Sequence, residues 1–285
     1  MKTEMLFRSA FAVGTALVML VMFHVLQWVL SPKHSLLSDM KRTNVAYQLL
    51  QAGHVLAVLL LAPGVVKNCV AGTSLARDAL SAGLFALAGL AIIQIVGGLG
   101  VRFFFRSTMQ RELERGNVAA GIAAASNYVA IGVLASRAIA GSDIHGLGLS
   151  LAFFGISAAT LWGFVTLLRA LTTYDDAEQI QGENVAAAVS YAGITIALSM
   201  LIGRALEGDF EGWSASLLGY GSVVAWAFAL YPVRQIIVQG VLLGSAPSLR
   251  GGVLDDAIGV QRNRGMAVME AVTYMATALA IAELA

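Results

Sequence analysis

Long runs of apolar residues alternate with short polar segments along the whole chain. A helix that crosses the hydrocarbon core of a bilayer needs roughly 20 mostly apolar residues. Eight runs meet this requirement, at residues 6–30, 44–66, 79–105, 117–140, 146–171, 184–205, 214–238 and 263–283. The runs are continuous and lack the in–out alternation of a barrel strand. The pattern therefore predicts an all-α polytopic membrane protein with eight transmembrane helices.

The composition agrees with this prediction and excludes several classes of protein. Of 285 residues, 58% are hydrophobic and 12% charged, whereas charged residues make up about a quarter of a soluble chain. An aqueous enzyme is therefore nearly excluded. The His-Glu-x-x-His, Gly-x-Ser-x-Gly and phosphate-binding-loop motifs are absent as well, and we expect neither an enzyme nor a cofactor. A net charge of +1 argues against nucleic-acid binding. A single cysteine excludes an internal disulfide and a cysteine-based metal site within one chain.

The lysines and arginines predict the orientation, because cytoplasmic loops are enriched in them. Twelve of the 18 basic residues lie after the first, third, fifth and seventh spans or at the adjoining helix ends. These are Lys33, Lys41, Arg42, Arg102, Arg106, Arg111, Arg115, Arg169, Arg234, Arg250, Arg262 and Arg264. We therefore expect these loops in the cytoplasm and both termini on the outer side of a bacterial inner membrane.

The even-numbered spans begin alike, which indicates an internal repeat. Three of them start with Asn-Val-Ala, at Asn44, Asn117 and Asn184, and the eighth is placed in register from Arg264, with its asparagine displaced to Asn263. The starts are 73, 67 and 80 residues apart, the length of one helical hairpin with its loops. Two helices per unit give every copy the same orientation. The sequence thus predicts four parallel helical-hairpin repeats, which surround a central pathway or pack as a solid bundle.

Small residues recur at one depth in these repeats. Nine positions after each start stand Gly53, Ser126, Gly193 and Thr273. Small side chains let helix backbones approach closely in lipid. We therefore expect close contacts between the even-numbered helices at this depth.

The third repeat carries the motif by which a family is identified. A Thr172-Thr173-Tyr174-Asp175 turn is followed by Gly182-Glu183-Asn184-Val185-Ala186, which opens a helix. This arrangement resembles the domain-of-unknown-function 350 family, small bacterial inner-membrane proteins of four helices in two hairpins. The resemblance implies two such units in tandem, at residues 1–140 and 141–285. It implies no activity, and hints only at a context of membrane-stress and polyamine-related genes.

The repeated asparagines Asn44, Asn117 and Asn184 have two interpretations. Asparagine is a strong helix N-cap, because its side-chain oxygen accepts from free backbone N–H groups. Alternatively, three carboxamides at one depth could line a vestibule.

Further polar residues lie near mid-membrane, where each is costly. Gln51 and His54 share a face of the second span, and the residues in register with His54 are Asn127, Ile194 and Tyr274. These residues either bond helices together or line a polar pathway in which His54 titrates near neutral pH.

Glu270 is the only acidic residue well inside a span, and lies about 9 Å along the helix from Arg264. We expect it to be a coupling site for a proton or cation, with Gln51, His54, Asn127 and Tyr274 lining the same pathway. Its predicted partners by depth are His54, His24 and Gln94. The alternative is a neutral acid bonded to a backbone carbonyl.

Three further acids, Asp175, Asp176 and Glu178, form a cluster before the sixth span. Their two interpretations are a hard-cation site and a solvated turn that caps the next helix. No metal site is therefore assigned.

The function predicted from these residues is a channel- or transporter-like module for a small cation, with linkage to protons as one option. The competing hypothesis is a structural scaffold of a membrane-stress assembly, which binds a cytoplasmic stress-response partner through its loops. The tandem organisation also suggests homo-oligomers, and the expected surroundings are a lipid bilayer without nucleic acid.

Overall fold

The computed structural model describes residues 2–30, 36–41, 43–70, 74–105, 109–141, 143–248 and 250–284. The chain is 84% helical, and the described residues contain no strand. Among the basic residues counted above, Lys33, Arg42 and Arg106 lie outside these ranges. The predicted all-α class is confirmed.

Within the described residues, eight helices are long and apolar enough to cross a membrane, which confirms the eight predicted spans. The helices that supply them are α1 (Lys2–Leu30), α3 (Val45–Cys69), α4 (Leu75–Phe105), α6 (Val118–Ala138), α7 (Ile144–Arg169), α9 (Val185–Arg204), α10 (Trp213–Val224) with its continuation, and α13 (Arg264–Leu284). The chain is therefore a multi-pass membrane protein.

The seventh span is the irregular one. After α10 the chain passes through a 3₁₀ turn (Ala225–Ala229), the short helix α11 (Leu230–Arg234) and a π-helix (Gln235–Leu242). Pro232 lies inside α11, and proline removes a helical hydrogen bond. Because π-helical segments are frequent at functional sites, this span is a candidate to carry one.

Four short helices, which the apolar pattern did not predict, precede the even-numbered spans. They are α2 (Leu36–Met40), α5 (Met109–Glu114), α8 (Asp176–Gln181) and α12 (Val253–Gly259). Each repeat is therefore a long helix, a short helix and a second long helix.

The short helices α5, α8 and α12 end in the same way. Gly116, Glu183 and Arg262, with φ of 87°, 62° and 55°, each adopt a left-handed conformation directly before an asparagine. Such a residue terminates a helix and reverses the chain. The asparagine that follows caps the next long helix, at Asn117, Asn184 and, in the fourth repeat, Asn263.

The fourth repeat is therefore in register with Asn263, and the alignment from Arg264 was wrong by one residue. Asn263 Oδ1 accepts from Met266 N at 3.1 Å, as Asn184 Oδ1 accepts from Ala187 N at 3.2 Å. Val272 replaces Thr273 as the counterpart of Gly53, and Thr273 rather than Tyr274 is in register with His54. The sequence alignment began the fourth repeat at Arg264, although the capping residue is the preceding Asn263.

The even-numbered spans pack side by side in the order α3, α6, α9, α13. A Cβ atom added to Gly53 would lie 2.6 Å from Ala125 Cα, and one added to Gly193 would lie 2.5 Å from Ala271 Cα. The backbones thus meet directly, as the small residues predicted. Consecutive helices in a row, rather than a ring, form the centre of the bundle.

The odd-numbered spans cover this row. Helix α4 packs against both α3 and α6, and α7 packs against both α6 and α9. Each therefore lies in the groove between two neighbouring even-numbered helices. Of the two arrangements left open by the sequence, the structure has the packed bundle along the described part of these helices.

Candidate functional site

Glu270 belongs to a fully buried group of charges that we call the Arg234 cluster: Arg234, Asp255 and Glu270. Arg234 Nε donates to Glu270 Oε1 at 2.7 Å, and Arg234 Nη2 donates to Asp255 Oδ1 at 2.5 Å. All three side chains have no solvent exposure. Helices α11, α12 and α13 each supply one member, so the cluster joins the irregular span to the last helix.

The cluster has two unsatisfied atoms that point to further chemistry. Neither Arg234 Nη1 nor Glu270 Oε2 has a hydrogen-bond partner among the described residues. Asp255 is better satisfied, because its Oδ2 accepts from Thr173 N at 2.8 Å. Buried polar atoms without partners are rare in native structures, so the free atoms of Arg234 and Glu270 require an explanation.

The charges in the cluster do not balance. One guanidinium faces two carboxylates, so the group has a net charge of −1 when all three are ionised. Burying an unpaired ion costs several kcal/mol, and one bound proton or monovalent cation would restore neutrality. Of the two carboxylates, Glu270 is the one with an oxygen, Oε2, that has no hydrogen-bond partner among the described residues.

The predicted partners of Glu270 were wrong. His54, His24 and Gln94 were chosen by depth, but Glu270 instead pairs with Arg234, 36 residues earlier. Arg234 was interpreted only as a basic residue near a membrane interface. A signal was present, since an arginine next to Pro232 within an apolar run is itself unusual.

A second polar group, the Arg169 cluster, consists of Arg169, Tyr174, Asp176 and Ser190. Arg169 forms a two-pronged ion pair with Asp176, with Nε donating to Oδ2 at 2.6 Å. Arg169 Nη1 donates to Ser190 Oγ at 2.9 Å and Nη2 to Tyr174 Oη at 3.0 Å. Burial raises the pKa of Tyr174 to about 12, so its hydroxyl stays protonated at neutral pH.

The Thr-Thr-Tyr-Asp turn connects the two clusters. Thr173 donates to Asp255 of the Arg234 cluster, and the adjacent Tyr174 belongs to the Arg169 cluster. A cavity of about 450 Å³ borders this turn, and Phe104, Tyr191 and Arg250 are among its lining residues. The motif that carries the family resemblance therefore lies between two buried ion pairs and contacts both.

The other predicted pathway residues lie in separate contacts. Gln51 accepts from Gln27 Nε2 at 3.1 Å and donates to Asp39 Oδ2 at 2.9 Å. His54 is buried between the rings of Phe23 and Tyr128, with ring centroids 5.5 and 3.8 Å away. Both residues thus join α3 to neighbouring helices.

Asn127 and Tyr274 lie on other helices. Asn127 Nδ2 donates to Tyr191 Oη at 3.0 Å and joins α6 to α9. Tyr274 is buried one helical turn beyond Glu270. Of the five predicted pathway residues, Glu270 belongs to the Arg234 cluster and Tyr274 lies on the same face of α13. Gln51, His54 and Asn127 lie on other helices.

The repeated asparagines confirm the capping interpretation. The Oδ1 atoms of Asn44, Asn117 and Asn184 each accept from the backbone N–H three residues later. Asn117 and Asn184 are 2% and 0% exposed, so their amides do not line a water-filled vestibule.

The amide nitrogens of the same asparagines join consecutive repeats. Asn44 Nδ2 donates to Leu113 O at 2.8 Å, Asn117 Nδ2 to Ile180 O at 2.7 Å and Asn184 Nδ2 to Ile258 O at 2.8 Å. Each acceptor lies in the short helix of the following repeat. We call this contact the asparagine clamp; sequence spacing identified the cap but gave no signal for the clamp.

The acidic cluster before the sixth span has a structural explanation. Asp175 Oδ1 accepts from Glu178 N at 3.0 Å and so caps α8, while Asp176 pairs with Arg169. Within the residues that the structure describes, no three His, Cys, Asp or Glu side chains converge as a metal site. The turn interpretation is therefore the one that accounts for these contacts.

The fold and these buried clusters define a multi-pass membrane protein built from tandem hairpin repeats. The family model Domain of Unknown Function (DUF350) matches residues 3–139 and 142–285, and the chain therefore belongs to this family, with two copies in tandem. No curated protein and no solved structure matches the chain significantly.

Proposed function

We propose that the chain is a membrane transport protein whose working centre is the Arg234 cluster, and that the centre binds a proton or a small monovalent cation. The proposal rests on one observation. Glu270 is buried in a membrane-spanning helix, and its Oε2 has no hydrogen-bond partner among the described residues, although Arg234 pairs with its Oε1 and with Asp255. The surplus negative charge gives the centre its preference for a cation.

Energetics favour a functional role over a purely structural one. Buried ion pairs are often no more stabilising than well-packed apolar residues of similar volume, and ionisable groups inside membranes commonly mark ion paths. The neighbouring π-helix supports this assignment, because π-helical segments are frequent at functional sites. In the proposed cycle, binding of the proton or cation at Glu270 weakens the ion pair between Glu270 and Arg234. The irregular seventh span can then move relative to α13.

The proposed setting is a bacterial inner membrane, with both termini on the outer side and the asparagine caps facing the cytoplasm. This placement follows from the excess of lysine and arginine at that end. The Arg234 cluster then lies about 9 Å from the cytoplasmic start of α13, and the 450 Å³ cavity lies near the same side.

Flux through purified protein in liposomes tests the proposal. Proton, sodium, potassium and polyamine gradients are applied in turn, and we expect flux of at least one of the monovalent ions above that of empty liposomes. Glu270→Gln removes the charge and should abolish this flux. Glu283→Gln makes the same change at an exposed position of α13 and should leave it intact. Correctly folded wild-type protein without flux, or equal flux in both variants, would contradict the proposal.

A scaffold function is the second candidate, and the backbone-to-backbone contacts along α3, α6, α9 and α13 favour it. In this case the buried clusters hold the repeats together, and the loops at the asparagine end bind a cytoplasmic stress-response protein. Cross-linking in cells separates the two functions. A scaffold would give one stoichiometric partner that is retained by Glu270→Gln, together with no ion flux in liposomes.

A further inference from the structure

Each even-numbered helix uses one face for the preceding repeat and another for the following one. Counting from the asparagine, the face toward the following repeat includes positions 2, 9, 13 and 20, and the face toward the preceding repeat includes positions 4, 8, 15 and 19. Between α3 and α6 the paired residues are Ala46 with Gly121, Gly53 with Ala125, Ala57 with Gly132, and Gly64 with Ser136. Gly193 and Ala271 repeat the second pairing between α9 and α13.

The two end helices leave one of these faces uncovered. On α13 the positions toward a following repeat are Gly265, Val272, Ala276 and Glu283, and all four are exposed. On α3 the positions toward a preceding repeat include Ala52, Leu59 and Pro63, which are exposed as well. Val272 is 52% and Leu59 41% exposed. The two faces therefore do not cover each other within one chain.

Asn263 supplies an independent observation. Its Oδ1 caps α13, but its Nδ2 donates to no described residue, whereas the amides of Asn44, Asn117 and Asn184 all clamp a following short helix. The structural counterpart of the missing acceptor is the carbonyl of Met40 in α2. Met40 lies four residues before Asn44, as Leu113 lies before Asn117.

Helix α1 lies against one even-numbered helix instead of between two. The odd-numbered helices α4 and α7 each lie between two even-numbered helices, and 44% and 33% of their apolar windows are buried. Helix α1 packs against α3, and only 11% of its window is buried. An even-numbered helix placed before α3 would complete this groove.

We propose that a second copy of this chain binds head to tail, with α13 of one copy packed against α3 and beneath α1 of the next. The interface between consecutive repeats inside the chain is the template. In the α3–α6, α6–α9 and α9–α13 contacts, the face toward the following repeat is covered by the next even-numbered helix. Lipid could cover the apolar residues, but it offers no short-helix carbonyl to the Asn263 amide. A contact between two different faces propagates to a closed ring or a filament. This inference does not depend on the transport proposal.

Cysteine cross-linking in membranes tests the assembly. By analogy with Gly53 and Ala125, Val272 of one copy meets Ala52 of the next. Chains carrying either Val272→Cys or Ala52→Cys, both with Cys69→Ser and different tags, are co-expressed and oxidised. We expect mixed dimers several-fold above a control that pairs Val272→Cys with Ile95→Cys. Ile95 is 63% exposed but lies on α4, away from the repeat ends.

A double-cysteine chain and an Asn263 variant test the geometry of the assembly further. Chains carrying both Val272→Cys and Ala52→Cys should form a ladder or a ring of defined size. Asn263→Ser keeps a capping oxygen and removes the amide donor, and should lower the mixed-dimer yield about fivefold without changing the detergent-solubilised monomer. Mixed dimers no more abundant than the Ile95 control, or Val272 pairing mainly with itself, would overturn the proposal.

Discussion

The asparagine at the start of each even-numbered helix offers both a carbonyl oxygen and an amide nitrogen for hydrogen bonds. Its oxygen caps the helix that it begins, and in the first three repeats its amide nitrogen holds the short helix of the next repeat. Serine or aspartate could supply the cap, but ionised aspartate has no donor and serine has a single hydroxyl in place of the separate oxygen and nitrogen of an amide. The double role explains why asparagine occupies this position in the first three repeats; in the fourth, Asn263 has the cap alone among the described residues.

Replacing Asn184 should therefore cost more than replacing Asn263. We expect Asn184→Ala to lower the free energy of unfolding by about 2–4 kcal/mol, since it loses a cap and leaves the buried carbonyl of Ile258 without its donor. Asn263→Ala loses only an exposed cap, for about 1 kcal/mol. Denaturant unfolding in detergent measures both, and equal losses would show that the clamp contributes nothing.

The Arg234 cluster allows stability and function to be separated. Arg234→Met leaves two buried carboxylates without their cation and should lower stability by about 3–5 kcal/mol. The triple variant Arg234→Met, Asp255→Asn, Glu270→Gln removes all three charges and should regain most of this loss.

Flux measured on the same proteins completes this prediction. The triple variant should be as inactive in liposomes as Glu270→Gln, although it is nearly as stable as the wild type. If it transported ions normally, the charges would not be the working centre. If it were as unstable as Arg234→Met, the cluster would be structural.

At the scale of elements, the even-numbered helices are held by backbone proximity rather than by large side chains. The contact between Gly193 and Ala271 leaves no room for a methyl group, because the added Cβ would lie 2.5 Å from Ala271 Cα and Cβ. Since lipid tails are as apolar as leucine, tight packing of this kind is a principal source of helix association in membranes.

Gly193→Ala should therefore be destabilising by about 1–3 kcal/mol, as overpacked core positions are. Gly155→Ala on α7 is the matched control, because nothing lies within 4 Å of its added Cβ. There the exchange should stabilise the helix by roughly 0.5–1 kcal/mol. Thermal unfolding in detergent compares the two, and a neutral Gly193→Ala would show that α9 and α13 can separate at little cost.

The elements also show what the sequence could and could not predict. Hydropathy predicted the eight spans, and the capping preference of asparagine predicted where three even-numbered helices begin. The short helices α5, α8 and α12 have six, six and seven residues, too few for a periodic pattern. The Arg234–Glu270 pair joins residues 36 positions apart, and no spacing rule connects them. Repeats in sequence likewise do not distinguish a row from a ring.

At the scale of the molecule, the two family units meet through the same interface that joins repeats within each unit. Asn117 of the first unit clamps Ile180 of the second, and Asn127 bonds to Tyr191 across the α6–α9 contact. Ala140, Gly141 and Asp143, which lie where one unit ends and the other begins, are exposed. The two units are thus joined by the same helix contacts and asparagine clamp that join the repeats within each unit.

Separate chains of residues 1–140 and 141–285 should therefore assemble when they are co-expressed, and a tag on one should recover the other from detergent. Asn117→Ser removes a clamp between the two halves while keeping a capping oxygen, and should lower this recovery about fivefold. Asn44→Ser makes the same change at a clamp inside the first half, between Asn44 and Leu113, and should leave recovery unchanged. Equal recovery with both variants would mean that the clamps do not set the order of repeats.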